Sequence, residues 1–448
     1  MKLRHGPVYG AYVGSTPFII IADADILKEI LIRKFSHFHN RKGTDIDDYP
    51  LNKALTRLEG ARWKFVRNTI TPAFSASKMK PISVLINNCC DNLVTNMKTC
   101  IAASPDFEVK GVYGNMTLDT IAQSAFGLEI DSQSNPNSPF VEHAKAIMNM
   151  RMTSPRMLLA FWFPQLAPIL NYFRIGLIPH EHKQFFLDVT SQALDLRKDP
   201  KNKRVDMLQL MVDAQENHEQ TETEEIPDLV GHKDKGVMKK EMTREELMAQ
   251  AVVFFLAGYE STNVILTFLS YLLATHPDLQ EKVYQEVQEV ASAAESFSYD
   301  AVNKMEYLEM FVNEGLRLYP PGPIADRVCT EDITINDIKF SKGDPIFYNI
   351  YSLHHDPKYW DDPEKFDPER FSKENKDKIN PFAYLPFGTG PRNCIGMRFA
   401  LLVVKTAFAR VVQKFKFEPC EKTQIPLKLG MRSIMPDDGI TLRVVARD

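Results

Sequence analysis

The first half of the chain changes from short extended patterns to helical ones. Runs 7–13 and 17–22 are rich in β-branched and aromatic residues, and a Gly-Ser-Thr stretch separates them, which predicts a β-hairpin. Asp23 and Asp25 then predict the start of a short helix. Over 60–215, apolar positions mostly recur with the spacing of one helix face. Helices are therefore predicted to dominate this half.

A long apolar helix is predicted to begin after Thr243 and to end at His276, which precedes a proline. Thr243 and Glu246 have the spacing of a capping box, which satisfies two backbone N–H groups at a helix start. The uninterrupted apolar stretch is about half of the ~20 residues that a membrane span needs, so we favour a buried helix. The polar interval 215–241 before it is predicted to be a surface loop.

The last third of the chain predicts two more helices among extended segments. They are expected at 306–319 and 397–415. Segment 328–354 alternates in the manner of strands, and 425–445 has the pattern of a β-hairpin with an Asp-Gly turn. The predicted fold class is mainly α with minor antiparallel β-sheets, an α+β arrangement. We expect a single domain over residues 1–448.

Composition adds exclusions to this picture. Of 448 residues, 44% are hydrophobic and 25% are charged. There are 54 Lys and Arg residues and 58 Asp and Glu residues. This balance is ordinary for a globular protein, so nucleic acid is not an expected partner. The six cysteines form no CxxC pattern, which argues against a disulfide framework or a zinc site. The start of the chain has no apolar run behind its basic residues, so neither a signal peptide nor a membrane anchor is expected.

The stretch PFGTGPRNCIGMRFALLVV carries the strongest chemical signal. Cys394 follows a glycine-rich turn and precedes Gly396 and an apolar helix. Backbone N–H groups of such a loop, and the positive end of the helix dipole, stabilise a thiolate. A thiolate is the ligand that pushes electron density into a haem iron. Alone, a buried cysteine in a loop is more often structural, but Phe387, Gly390 and Arg392 make the pattern far more specific.

This loop resembles the cysteine-ligand signature of the cytochrome P-450 superfamily, the haem-thiolate monooxygenases. The resemblance extends over nearly the whole chain. It is nearest to the clan of the steroid- and xenobiotic-oxidising family three and thromboxane synthase. It implies the triangular-prism fold and haem b, with Cys394 as the axial ligand of the iron. Members of this clan usually begin with a transmembrane anchor, which is absent from residues 1–448.

Two further groups of residues match the family in chain order. Glu314 and Arg317 lie three positions apart on one helix face, and Arg370 is expected to complete a buried ionic brace with them. Without the resemblance, such a helix pair is usually solvated and weak. The resemblance also assigns four residues to the haem propionates, which need cationic or hydrogen-bonding partners when buried. These four are Trp63, Arg67, Arg327 and Arg392.

The polar residues in the long apolar helix match the oxygen-activation motif of the family. Glu260, Ser261 and Thr262 are expected to carry protons to the distal face of the haem. Gly258 leaves room there because it has no side chain. The family usually has threonine where Ser261 stands, so we expect activity with a looser coupling of oxygen use to product formation.

Substrate contacts and a membrane surface also follow from the resemblance. The predicted pocket residues are Val253, Leu256, Ala257, Ile324 and Met431. They are apolar, which predicts a hydrophobic substrate. Segment 157–173 has no charge and is rich in aromatics, so we favour membrane contact at its end over a fully buried helix.

The resemblance implies a complete activity with external electron donors. We expect insertion of one atom of dioxygen into lipophilic xenobiotics, steroids or other lipids, with electrons from NADPH. The expected partners are an NADPH-cytochrome diflavin reductase and cytochrome b5, which would dock on a basic patch of Arg57, Arg62 and Lys64. The expected location is the cytosolic face of the endoplasmic reticulum membrane. Two alternatives remain: a peroxide-rearranging isomerase of the thromboxane synthase type, and a non-catalytic haem or lipid binder.

Overall fold

The architecture was obtained as a computed structural model. The structure describes most of the chain: 6–43, 46, 48–135, 137–148, 154–204, 206–220, 241–293, 297–430, 434–436 and 438–447. Helices predominate, as the apolar periodicity predicts.

The α-helices are α1 (Ala24–Lys28), α2 (Gly60–Ile70), α3 (Ala76–Ala103), α4 (Val109–Phe126), α5 (Pro139–Met148), α6 (Pro155–Trp162), α7 (Ala167–Tyr172), α8 (His180–Leu196), α9 (Met207–Gln220), α10 (Arg244–Thr275), α11 (Pro277–Ala293), α12 (Tyr299–Val302), α13 (Glu306–Leu318), α14 (Ile350–His354) and α15 (Met397–Lys414). A π-helical turn, Glu29–Arg33, continues α1. Short 3₁₀ turns occur at Phe35–His37, Leu51–Lys53, Thr71–Phe74, Pro164–Leu166, Pro200–Asn202, Pro368–Phe371 and Lys376–Lys378.

Three small sheets accompany the helices. The first has the strand order β1 (Val8–Val13), β2 (Thr16–Ile21), β7 (Pro345–Asn349) and β4 (Ile324–Val328). The second has the order β3 (Asp106–Glu108), β9 (Thr441–Ala446) and β8 (Phe415–Glu418), and the third pairs β5 (Ile333–Ile335) with β6 (Ile338–Phe340). The hairpin of β1 and β2 is confirmed. The predicted fold class, mainly α with minor antiparallel sheets, is confirmed, and one strand pair departs from it because β2 and β7 run parallel.

Helix α10 confirms both predicted ends. The Thr243 side chain accepts from the Glu246 N–H, the Glu246 side chain accepts from the Thr243 N–H, and His276 is the C-cap. Every residue from 262 to 274 is buried, and the helix packs against α4, α8 and α15. Among the described residues, α10 is the helix long and apolar enough to cross a membrane, and most of its apolar window lies inside the protein. Its hydrophobicity is therefore that of a core helix.

Three local predictions are corrected. Helix α9 runs to Gln220, so the first residues of the predicted 215–241 loop are helical, while 221–240 lie outside the described residues. Residues 350–354 form α14 instead of a strand, since the Asn349 side chain caps the helix by accepting from the Ser352 N–H. The C-terminal hairpin is wrong for the described part of 425–445, because β9 pairs with β8 and β3. Pro426 and Pro436 provide no N–H for a ladder there.

The buried apolar residues form two main clusters. The larger surrounds α10 and includes side chains of α3, α4, α13 and α15. The second lies under the four-stranded sheet and α1. Helices α10 and α15 both contribute residues to an internal cavity, which lies within this packed frame.

Candidate functional site

A cavity of about 450 Å³ lies between helix α10 and the loop before α15. The side of α10 that faces it presents apolar and small residues together with two hydroxyls, namely Val253, Ala257, Gly258, Ser261 and Thr262. The other side presents the glycine-rich loop, including Phe387, Arg392 and Cys394. An apolar chamber of this kind suits a large hydrophobic group with few polar contacts.

The loop around Cys394 is held by its own backbone. The Cys394 N–H donates to the Phe387 carbonyl at 2.8 Å. Gly390 has φ +76°, and a side chain there would collide with the Leu31 carbonyl, so the position requires glycine. These contacts hold the loop in a shape in which Cys394 faces the cavity.

The surroundings of the Cys394 thiol shift its pKa in opposite directions. Burial raises the pKa of the thiol, whereas the Gly396 N–H and the guanidiniums of Arg67 and Arg41 lower it. The net direction is upward. The Gly396 N–H therefore acts in the direction predicted for the loop, but the effect of burial on the pKa is larger. A coordinating metal deprotonates a thiol outright, so the arrangement suits a cysteine that binds iron.

Arginine side chains surround one edge of the cavity. Arg392 donates to the carbonyls of His39, Leu55 and Leu58, and its guanidinium lies 4.2 Å from the centroid of the Trp63 ring. Burial lowers the pKa of Arg392 to about 9, and the nearby charges of other arginines contribute to this shift. A buried cluster of like charges is costly unless an anion binds among them.

The other predicted propionate residues lie in or beside this cluster. Arg67 donates to the backbone carbonyl of Asn393 at 2.9 Å and to its side-chain oxygen at 2.8 Å. Trp63 and Arg67 line the cavity, whereas Arg327 is fully buried behind the lining residue Tyr348, with its guanidinium 5.6 Å from that ring centroid. Three of the four predicted residues therefore line the cavity, and the fourth, Arg327, lies next to its wall.

Arg41 belongs to the same cluster and was missed by sequence reasoning. It lines the cavity, and its charge contributes to the pKa shifts of Arg67, Arg327 and Arg392. It lies in a short irregular stretch with no periodicity or motif spacing to signal it. The Nε atoms of Arg41 and Arg327 are buried without a hydrogen-bond partner. Unpaired donors on buried cations fit a ligand with carboxylates, such as the two propionates of haem.

Helix α10 divides the predicted proton-carrying residues between two sides. Ser261 and Thr262 line the cavity, and the Ser261 hydroxyl donates to the Ala257 carbonyl at 2.7 Å. The Glu260 carboxylate instead pairs with Lys110 of α4, with the Nζ and Oε1 atoms 3.0 Å apart and Glu260 36% exposed. The two hydroxyls therefore line the cavity, and Glu260 lies on a different side of the helix. Successive helix residues point about 100° apart, so the three cannot share one face.

The predicted ionic brace is present as a contact network. The Nε and one terminal nitrogen of Arg317 each donate to a Glu314 oxygen at 2.7 Å, and both residues are fully buried. Arg370 Nε lies 3.3 Å from Glu314 Oε1, and the Asp367 N–H donates to the same oxygen. Burial raises the pKa of Glu314 although the arginines lower it. The network fixes the end of α13 against the chain around Asp367.

The predicted substrate residues do not all reach the cavity. Val253, Ala257 and Ile324 line it. Leu256 is not among the described lining residues, because it is on another side of α10 and packs against the main core. Met431 lies outside the described residues.

The segment 157–173 is exposed instead of buried. Its large apolar side chains reach solvent to an extent unusual for a core helix: Leu158 41%, Trp162 56%, Phe163 55%, Leu166 37%, Ile169 54%, Tyr172 82% and Phe173 65%. Met157, Ala160 and Leu170 anchor the segment on a small cluster around Ile46. A contiguous apolar surface of this kind marks an interaction site.

The predicted basic docking patch is not supported at Arg62. This guanidinium forms a bidentate pair with Glu246, the capping residue of α10, and also donates to the Glu241 carbonyl. Its charge is therefore used inside the protein, where it fixes α2 to the start of α10. Arg57 and Lys64 also have interactions within the chain.

The sequence model of the family Cytochrome P450 matches residues 1–444. Cytochrome P450 3A29 of Sus scrofa is 38% identical over 451 aligned residues, covering 99% of this chain and 86% of that protein. Cytochrome P450 3A2 of Rattus norvegicus is 40% identical and cytochrome P450 3A5 of Homo sapiens is 39% identical, each with the same coverage.

A helical fold with small sheets, and a cysteine facing an apolar cavity edged by arginines, define the class of the haem-thiolate oxygenases. The chain belongs to the cytochrome P450 family. It is a haem b monooxygenase that inserts one atom of dioxygen into lipophilic substrates, with electrons from NADPH delivered by a reductase. Neither the isomerase nor the non-catalytic binder is favoured by these matches.

Proposed function

We propose that Cys394 is the axial ligand of haem b, and that Trp63, Arg67, Arg327 and Arg392 hold its propionates together with Arg41. The observation that carries this proposal is the buried cluster of arginines, two of them with an unpaired Nε, beside a cavity that Cys394 faces. When bound, haem with a thiolate ligand supplies the chemistry of dioxygen reduction and cleavage.

The experiment is a reduced carbon monoxide difference spectrum of the haem-loaded full chain. Wild type is expected to show a Soret band at about 450 nm, the signature of thiolate ligation. Cys394→Ala is expected to lose that band, while Cys420→Ala, at a half-buried cysteine outside the cavity lining, keeps it. A retained band in Cys394→Ala would refute the assignment.

The second part of the proposal concerns protons. We propose that Glu260 takes protons from solvent, since its carboxylate is partly exposed beside Lys110, and that Ser261 and Thr262 pass them on inside the cavity. Hydroxyls donate and accept, so a pair of them can relay a proton through ordered water. Glu260→Gln is expected to slow turnover with little change in substrate affinity, and a larger rate loss in D₂O than wild type would support proton transfer.

Pocket composition supports a neutral, lipophilic substrate. Val253, Ala257 and Ile324 are proposed to contact it, with Leu256 excluded by its position. Ile324 is 53% exposed in the structure, which suits a side chain that a bound substrate would cover. Burying apolar surface there contributes roughly 25 cal/mol per Å² to binding. Ile324→Ala is expected to weaken type I spectral binding of a large apolar substrate by roughly ten-fold.

The exposed segment 157–173 supports a place on a membrane surface. We propose that this segment inserts its aromatic side chains into the interface of the endoplasmic reticulum membrane, on the cytosolic face. The proposed electron donors are an NADPH-cytochrome diflavin reductase and cytochrome b5. Because Arg62 pairs with Glu246, we leave this side chain out of the proposed docking surface. Reconstitution with each donor, measured as NADPH consumed per product, tests both partners.

A further inference from the structure

His354 is a buried imidazole at the end of α14 with two different hydrogen bonds. It is fully buried, and its Nδ1 lies 2.9 Å from the Arg317 carbonyl while its Nε2 accepts from the Leu385 N–H at 2.8 Å. Because a backbone N–H can only donate, Nε2 must be the acceptor, and Nδ1 must carry the proton. The ring therefore has one tautomer and one orientation.

Both bonds satisfy groups that would otherwise be unpaired. The Arg317 carbonyl is in the last turn of α13, where carbonyls have no partner within the helix. Leu385 is buried, so its N–H would lose its solvent as well as its partner. In return, the Arg317 guanidinium donates to the His354 carbonyl at 2.7 Å. The imidazole is thus bonded at one edge to the residue that forms the ionic brace.

The other edge of the imidazole leads to the cysteine loop. Leu385 accepts from the Gly388 N–H at 3.0 Å, and between them Phe387 accepts from the Cys394 N–H at 2.8 Å. The His354 ring also stacks on Tyr384, with centroids 5.4 Å apart, and the Tyr384 hydroxyl donates to the Asn313 carbonyl of α13. The start of the loop is therefore fixed to α13 through two neighbouring side chains.

We propose that His354 is a positioning residue for Cys394, which holds the cysteine loop at a fixed place relative to the Glu314–Arg317 brace. This inference rests on the proposed role of Cys394 as the haem ligand. Burial lowers the pKa of His354 to about 3, so the imidazole stays neutral and both bonds persist across physiological pH. A neutral, buried, doubly bonded ring is a rigid connection.

Two substitutions separate the two bonds. In His354→Asn the side-chain amide can replace the Nδ1 donor toward Arg317, but it is too short to accept from Leu385. In His354→Gln the amide oxygen can reach the position of Nε2 and accept from Leu385. The matched control Leu353→Ala removes a fully buried side chain at the adjacent position without touching either bond. A second control, His355→Asn, changes a half-buried ring that bonds the Tyr351 carbonyl of its own turn.

The measurement uses the haem-loaded full chain and its reduced carbon monoxide complex. The readout is the rate at which the band at about 450 nm converts to the shorter-wavelength form of a lost thiolate. In His354→Asn this rate is expected to rise about ten-fold, because the buried Leu385 N–H is left unpaired. His354→Gln is expected to stay within about two-fold of wild type. Leu353→Ala and His355→Asn are expected to keep the wild-type rate even where the thermal midpoint falls.

Other outcomes overturn the inference. Equal rates in His354→Asn and wild type, or a Leu353→Ala rate that matches His354→Asn, would show that His354 does not position the loop. Hydrogen–deuterium exchange at Leu385 in wild type and His354→Gln gives a second test that does not need the Asn variant to fold. Slow exchange in both supports the inference, and fast exchange in wild type refutes it. If wild type itself lacks the 450-nm band, the proposed role of Cys394 fails instead.

Discussion

Replacing Glu314 by glutamine tests whether the buried brace stabilises the fold. Glutamine keeps the size of the side chain but places an amide where a carboxylate accepts two bonds from Arg317. The amide nitrogen would then face a guanidinium donor, and the charges of Arg317 and Arg370 would lose their shared counterion. Leaving one partner of a buried pair uncompensated costs about 3–5 kcal/mol in the free energy of unfolding.

The thermal midpoint translates this loss into a measurable shift. With an unfolding entropy of about 2.1 cal/mol/K per residue, 448 residues give about 0.9 kcal/mol/K, so Glu314→Gln is expected to lower Tm by about 3–5 °C. Circular dichroism at equal haem loading is the assay. The control Glu306→Gln changes a 64% exposed carboxylate on the same helix, 2.6 Å from the exposed Lys373, and is expected to cost under about 1 kcal/mol. Equal shifts in the two variants would refute the reasoning.

Three further predictions concern coupling, membrane contact and pH. Ser261→Thr is expected to lower hydrogen peroxide released per NADPH consumed, because the added methyl restricts the rotation of a hydroxyl in the cavity; an unchanged ratio contradicts this. Phe173→Ser is expected to weaken liposome flotation roughly ten-fold, since burying Phe is worth about 1.5–3 kcal/mol, whereas Tyr12→Ser, 75% exposed on β1, leaves flotation unchanged. Hydrogen bonds from Arg244 and Lys198 lower the pKa of Asp195 from 3.8 to about 2, so its contribution to stability is present above pH 3.8 and is lost as the pH falls toward 2. Urea unfolding of Asp195→Asn across that range is expected to lose this part of the acid dependence, and an unchanged pH profile would contradict the assignment.

Local patterns with a strong physical cause were predictable from the sequence. The capping box at Thr243 was confirmed because two side chains three positions apart satisfy each other's backbone, and no distant contact is needed. The contact of Glu314 with Arg317 has the same local origin, and burial by α13's neighbours strengthens it. The C-terminal hairpin was wrong because β9 takes its partners from residues 106–108 and 415–418, and local alternation carries no information about strand partners.

The same distinction explains which parts of the site could be predicted. Cys394 is positioned by a local loop that contains glycines at positive φ, so the sequence pattern around it was enough to predict its role as a site residue. Arg41 reaches the cavity only because distant segments meet there, and Arg392 donates to carbonyls of 39, 55 and 58, more than 330 residues away. Glu260 differs for a geometric reason: three successive helix positions span about 200°, so Ser261 and Thr262 can line the chamber while Glu260 points away from it. Its partial exposure beside Lys110 fits the proposed role of Glu260 in taking protons from solvent, with Ser261 and Thr262 on the cavity side of the helix.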